Sequence, residues 1–243
     1  MMELAKECQH LEVFTHVSTA YTNSDRLGFI EEKVRDLEGG QDPDELMESI
    51  QKMGPQVVAD NEKKILGNWP NTYTYTKSMA ERSIKKHRGN MRVAILRPSI
   101  IVSCYEEPCQ GWTDTVAASG GIAYTLHAGL LHYVKSTPSG TVDLIPCDFV
   151  SNMLIVLTCY TAQEPEPNLN IMHAATSQKN PLNFHDFGKG CVAHAKYNPY
   201  YRQFSDPHFV ISQNHNMWQY MNFTREILPT KLAQTFARVT GNK

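Results

Sequence analysis

The chain lacks any run of about eighteen apolar residues, so no membrane-spanning helix is predicted. It lacks an excess of charge of either sign. Its 23 Lys and Arg face 25 Asp and Glu, for a formal net charge of −2. Without a basic stripe, nucleic acid is excluded as an expected partner. It lacks any Cys-x-x-Cys pair. The six cysteines, at 8, 104, 109, 147, 159 and 191, have no metal-like spacing to histidine. That excludes a zinc-ribbon reading and fits a reduced, intracellular setting. Met1 to His10 carries an early Glu3 and no apolar stretch, so it does not read as a signal peptide. Internal repeats and low-complexity tracts are absent too. What is present is 243 residues, 41% of them hydrophobic, enough apolar mass for a core and one large domain or two small ones.

The first ten residues read as the end of a helix. Glu12 to Val17 then reads as a short strand, rich in β-branched and aromatic residues, that stops at the small polar cluster Ser18-Thr19-Ala20. Residues 24–70 are polar and acidic and read as a surface insertion with its own helix. Asp42 supplies the N-cap, Pro43 the first helical position and Glu45 the third. Leu46, Met47, Ile50 and Met53 give it one apolar face, and Gly54-Pro55 ends it. Asn71 caps a second predicted helix that runs to about Lys86 and closes near Gly89.

Val93-Ala94-Ile95-Leu96 is a continuous apolar run between Arg92 and Arg97-Pro98, the pattern of a strand buried on both faces of a parallel sheet. Leu144-Ile145 and Leu169 to Met172 are weaker strand candidates, with an apolar helix from Asp148 to about Tyr160 between them. Strands alternating with helices predict an α/β fold with a parallel sheet. Residues 223–240 read as a helical C-terminal segment. Leu232, Phe236 and Val239 share one of its faces, and Gly241 stops it. The aromatics Tyr197 to Tyr201 and Trp218 to Phe223 read as packing groups.

The sharpest local feature is Tyr73-Thr74-Tyr75-Thr76-Lys77. Tyr73 and Lys77, four residues apart, share a helix face. An ammonium beside a phenol favours the phenolate, and a tuned phenol exchanges protons with a substrate oxygen. Chance alone supplies about 0.6 such pairs in a chain with 11 tyrosines, so the pair by itself is weak. Position adds weight. Tyr73, Lys77, Ala80 and Ile84 form one stripe, expected to face the sheet, where a lysine is costly unless it binds something. Ser18-Thr19 ends one predicted parallel strand and Arg97-Pro98-Ser99-Ile100-Ile101 ends another. In open α/β sheets ligands bind beyond the carboxyl ends of the strands, where a hydroxyl stabilises a developing oxyanion.

These stretches, in order, resemble the extended short-chain dehydrogenase/reductase superfamily and, within it, the fatty acyl-CoA reductase family. The residues concerned are His16 to Tyr21, Gly67 to Lys77 with Ala80-Glu81, and Val93 to Ile100. They continue with Glu107-Pro108, Gly111-Trp112-Thr113-Asp114, Asp143 to Pro146 with Asp148, and Asn180-Pro181. The order holds over about residues 1–185, and Ile227-Leu228-Pro229 matches the start of the family's C-terminal region more loosely.

The resemblance implies a partial Rossmann-like parallel sheet with flanking helices. Residues 1–185 would belong to the reductase domain, with the helical insertion at 24–70, and 186–243 would begin a small helical C-terminal region. It implies Thr19, Tyr73 and Lys77 as the catalytic set, Ser18 being the lesser candidate for the hydroxyl. Tyr73 would donate the proton, Thr19 would hydrogen-bond the same oxygen, and Lys77 would bind the nicotinamide ribose and tune Tyr73. Pro98, Ser99 and Ile100 would line the nicotinamide pocket. The implied cofactor is NADPH and the implied substrate a fatty acyl-CoA, reduced through the aldehyde to the alcohol. No metal is expected. The family also implies an intracellular location at peroxisomal or endoplasmic reticulum membranes, with peripheral membrane association.

Two departures stand out. After Asp114 the chain reads Thr115-Val116-Ala117-Ala118-Ser119-Gly120, where the family has Asn and a Gly-Pro pair. No GxxGxxG loop for a dinucleotide pyrophosphate occurs. The strand ending at Val17 is therefore expected at a sheet edge, in a chain that reads as a fragment holding cofactor weakly. Two other readings stay open: an extended reductase acting on a ketone, a sterol or a carrier-bound thioester, and a non-catalytic remnant that binds a partner through its open sheet edge.

Overall fold

The computed structural model describes residues 1–116, 119–137, 139–201 and 203–240. The chain divides into two compact units. One comprises Met1–Ser99 with Ile145–Ala175, the other Ile100–Leu144 with Thr176–Lys243. The division does not follow a single cut near residue 185. The chain leaves the first unit after Ser99 and re-enters it at Ile145, so each unit is assembled from two separate stretches.

The first unit opens with the short helix α1 (Met2–Glu7) and is built on a three-stranded parallel sheet. Strand β1 (Phe14–Val17) pairs with β2 (Val93–Pro98), Phe14 opposite Val93 and Val17 opposite Leu96. On its other side β2 pairs with the strand Leu169–Ala174, Val93 opposite Leu169 and Pro98 opposite Ala174. All six residues of β2 are buried, as its unbroken apolar run predicts. The pleat divides them between two cores. Ala94 and Leu96 meet Ile145, Val150, Leu157 and Ala174, which brings the helix Cys147–Gln163 onto one face. Val93 and Ile95 meet Val34 and Ile84, with Phe14 and Ile171 beside them, on the other. β1 takes the edge of this sheet.

The insertion forms α2 (Pro43–Met53), α3 (Pro55–Asp60) and α4 (Glu62–Leu66). The Asp42 carboxylate accepts from the N–H groups of Asp44 and Glu45, and Gly54, at φ 78°, ends α2 as predicted. Helix α5 (Thr72–His87) begins where the Asn71 side chain accepts from Thr74 N–H. The insertion is no detached surface excursion. Leu46, Met47, Ile50, Leu66 and Trp69 pack on Tyr75 and Met79 of α5. α5 is thereby buried from two sides, through Thr74, Tyr75, Ser78, Met79, Glu81, Arg82 and Ile84. The predicted sheet-facing stripe is corrected accordingly. Ile84 is buried and Ala80 half-buried, but Tyr73 is 55% exposed.

In the second unit Tyr133–Lys135 pairs in parallel with Val210–Ser212, and Thr141–Val142 antiparallel with Leu182–Asn183. Helices Ser119–His127 and Phe184–Tyr197 pack against each other. The C-terminal stretch runs through His215–Asn222, a π-turn at Phe223–Ile227 and the helix Leu228–Thr240. The Glu226 carboxylate accepts from the N–H groups of His132 and Tyr133, at 2.9 and 3.1 Å, and ties that stretch to a strand. Of the aromatics expected to pack, Trp218 donates to the Tyr133 carbonyl at 3.3 Å, whereas Tyr197 is 86% and Tyr220 65% exposed. The side chains of Phe236 and Val239, together with Gly241, Ala117 and Ala118, lie outside the described residues. Among the described residues no helix is long and apolar enough to cross a membrane.

Candidate active site

Thr19 and Pro98 meet where β1 and β2 end. The Thr19 hydroxyl donates to the Pro98 carbonyl at 3.3 Å and accepts from Tyr21 N–H, capping the 3₁₀ turn Ala20–Asn23. β1 continues into this corner, since Ser18 N–H donates to the Leu96 carbonyl at 2.7 Å. Both hydroxyl residues are buried, but they are used differently. Ser18 Oγ donates to Glu81 Oε1 at 2.5 Å.

Helix α5 closes the corner. Lys77 Nζ donates to the Val17 carbonyl at 3.0 Å, one residue from Ser18. Tyr73 sits one turn earlier on the same face and is exposed. The structure thus brings Lys77 to the end of β1 beside Ser18 and Thr19, with Tyr73 on the adjoining turn. The Lys77 ammonium keeps two further donors after the Val17 bond. Ser99 is buried and its hydroxyl has no hydrogen-bond partner among the described residues. Ile100 belongs to the second unit, where its N–H donates to the Asp143 carbonyl at 3.1 Å.

Two residues of this corner were not assigned a role from sequence. Arg97 and Glu81 form a bidentate ion pair, Nε to Oε1 at 2.9 Å and Nη2 to Oε2 at 2.6 Å, with side chains 1% and 3% exposed. Arg97 also donates to the carbonyls of Glu31 and Lys33, at 3.2 and 3.0 Å, and holds the 24–37 loop. The signal was present in the sequence. An arginine at the end of a strand buried on both faces demands a carboxylate, and Glu81 stands one turn beyond Lys77. His16, on β1, has a buried Nε2 without a partner among the described residues. Burial, and then the Lys77 ammonium, hold its imidazole below the usual histidine range.

The parallel sheet, covered on both faces by helices and carrying a hydroxyl and an ammonium at one carboxyl-end corner, defines a Rossmann-like α/β domain. The family model described as male sterility protein, an NAD-binding domain, matches residues 1–154, and the chain belongs to that family. A nicotinamide dinucleotide is the cofactor class of the family. Among curated relatives, fatty acyl-CoA reductase 2 of Homo sapiens is 30% identical over 243 residues, all of this chain and 47% of that protein. Fatty acyl-CoA reductase 1 of Xenopus laevis is 32% identical over 241 residues, 99% of this chain and 46% of that one. The chain spans about half the length of the curated relatives it matches. A thiolation-reductase di-domain from an archaeal non-ribosomal peptide synthetase covers 91% of this chain and 50% of its own, with a TM-score of 0.51 and 18% identity, a likeness of fold.

The corner suits the nicotinamide end of such a cofactor. The orphaned Ser99 hydroxyl and the spare donors of Lys77 are groups that a carboxamide and a ribose can satisfy.

Proposed function

We propose that the chain carries the proton-handling corner of an NADPH-dependent fatty acyl-CoA reductase that takes long-chain acyl-CoA through the aldehyde to the fatty alcohol. The observation that carries this reading is the Lys77 bond to the Val17 carbonyl, which sets the face bearing Tyr73 and Lys77 at the strand end where Thr19 lies. The kinship with fatty acyl-CoA reductases over the whole chain supports the substrate class.

When bound, the cofactor supplies hydride. The residues of this chain do the rest. Thr19 turns its hydroxyl from the Pro98 carbonyl to the substrate carbonyl oxygen and stabilises the charge that develops there. Tyr73 donates to the same oxygen. In the thioester step the oxygen returns to a carbonyl as the C–S bond breaks, and the departing thiolate takes a proton from water. In the aldehyde step Tyr73 gives its proton to the alkoxide. Lys77, one turn from Tyr73, would hold the ribose hydroxyls of the bound cofactor. Pro98 and Ser99 would line the nicotinamide side. This reading carries with it an intracellular location at a peroxisomal or endoplasmic reticulum membrane.

The test is NADPH consumption with a long-chain acyl-CoA at saturating NADPH, with NADH and a simple ketone as comparison arms. Tyr73→Phe is expected to lower kcat by roughly 10²–10⁴-fold. No acyl-CoA-dependent consumption, or a Tyr73→Phe protein with unchanged rate, refutes the reading.

A further inference from the structure

The Glu81 carboxylate accepts three charge-assisted or hydroxyl hydrogen bonds, from Ser18 Oγ at 2.5 Å, Arg97 Nε at 2.9 Å and Arg97 Nη2 at 2.6 Å. These contacts close a ring. Ser18 is bonded covalently to Thr19, Thr19 donates to the Pro98 carbonyl, Pro98 follows Arg97, and Arg97 returns to Glu81. Glu81 lies on α5, one turn after Lys77 and two after Tyr73. So α5 reaches the end of β1 through consecutive turns, Lys77 to the Val17 carbonyl and Glu81 to the Ser18 hydroxyl.

The two neighbouring hydroxyls are thereby separated by chemistry. Ser18 has a short bond to a carboxylate that is itself locked to a guanidinium, the strong kind of hydrogen bond. Thr19 has a 3.3 Å bond to a neutral carbonyl, well beyond the usual 2.7–2.8 Å of such bonds. It is the one that gives way to a better acceptor. We infer that Glu81 is a positioning residue of this site. By taking the Ser18 hydroxyl and clamping Arg97, it fixes the helix that bears Tyr73 and Lys77 against the strand end and leaves Thr19 as the hydroxyl that meets substrate.

The inference rests on the reductase reading above, and its test separates the two. Glu81→Gln strands the buried Arg97 charge and tests folding as much as position. The decisive variant is therefore Ser18→Ala, which removes the tether and keeps the ion pair. It is expected to hold its melting temperature within a few degrees, to lose about tenfold in kcat and to keep KM within about twofold, because a small misplacement of donors acts on the transition state. Thr19→Val is expected to lose about 10²-fold in kcat, the cost of an oxyanion donor. In an enzyme that Tyr73→Phe silences, a Ser18→Ala protein with wild-type kcat overturns the inference and leaves the reductase reading standing. So does a Ser18→Ala protein more impaired than Thr19→Val. A wild-type protein inert toward NADPH and acyl-CoA, or indifferent to Tyr73→Phe, removes both.

Discussion

Breaking the Glu81–Arg97 pair provides a quantitative test of how the first unit is held together. With side chains 1% and 3% exposed, neither charge has water to fall back on. Removing one partner leaves the other buried and uncompensated, at a cost of about 3–5 kcal/mol, a large share of a domain's roughly 5–15 kcal/mol. The melting temperature is expected to fall by roughly 6–20 °C, at about 2–4 °C per kcal/mol for a chain of this size. The two halves are not equivalent. Glu81→Gln keeps a polar partner for Ser18 and leaves Arg97 its bonds to the Glu31 and Lys33 carbonyls. Arg97→Met strands the carboxylate and also releases those two carbonyls, so it is expected to be the more damaging change. The double variant Glu81→Gln with Arg97→Met removes both charges and is expected to cost less than the sum of the single changes by about 2 kcal/mol or more. Urea unfolding followed by circular dichroism measures all three. Trp69, whose indole donates to the Thr22 carbonyl at 3.1 Å, is a fluorescence probe within the same unit. A loss below about 1 kcal/mol in either single variant, or strict additivity in the double, refutes the reasoning.

Three further outcomes are expected. His16, His132 and His173 are each held below the ordinary histidine value of 6.5, first by burial and then by Lys77, His208 and Arg97 respectively. The unfolded chain therefore takes up protons on these groups before the folded one does. Stability is full above about pH 6.5 and declines as pH falls from there toward the lowered folded values, so the urea midpoint should drop on acidification, and a midpoint that rises would contradict the assignment. Gly129 sits at φ 67°, and an added Cβ would run into the Ser205 backbone; Gly129→Ala should cost more than about 2 kcal/mol in the second unit, seen as a lowered melting temperature. Asn71→Ala removes the side-chain oxygen that accepts from Thr74 N–H at 2.9 Å and should cost about 1 kcal/mol, whereas Asn71→Asp should retain most of it.

Local chemistry made much of the first unit legible. Asp42 with Pro43, Gly54, and Asn71 mark helix ends because an unpaired backbone group at a terminus needs a specific side chain or a specific φ, and both are written residue by residue. Val93 to Leu96 announced a strand covered on both faces, since only such a position makes every residue of a run apolar. That Tyr73 and Lys77 share a helix face was legible from spacing, because four residues is about one helical turn, whereas the bond from Lys77 to the end of β1 was not. The helix before the last strand was placed from its apolar run, Asp148 to about Tyr160 against an observed Cys147–Gln163.

Other features depend on residues far apart in the chain, and no local pattern contains them. Which face of α5 is buried was decided by the insertion packing against Tyr75 and Met79, so a stripe computed for one neighbour missed the second. Ser18 and Thr19 are adjacent and chemically alike; the family resemblance ranked Thr19 first, but that Ser18 is bonded to Glu81, 63 residues away, was visible only in the folded chain. The two-unit division likewise follows contacts between Ile100–Leu144 and Thr176–Lys243 rather than any change in composition. Caps, turns and strand burial are set by a residue's nearest neighbours along the chain. Which hydroxyl is bonded to a carboxylate, and which charge is buried, is set by partners that only the folded chain brings together.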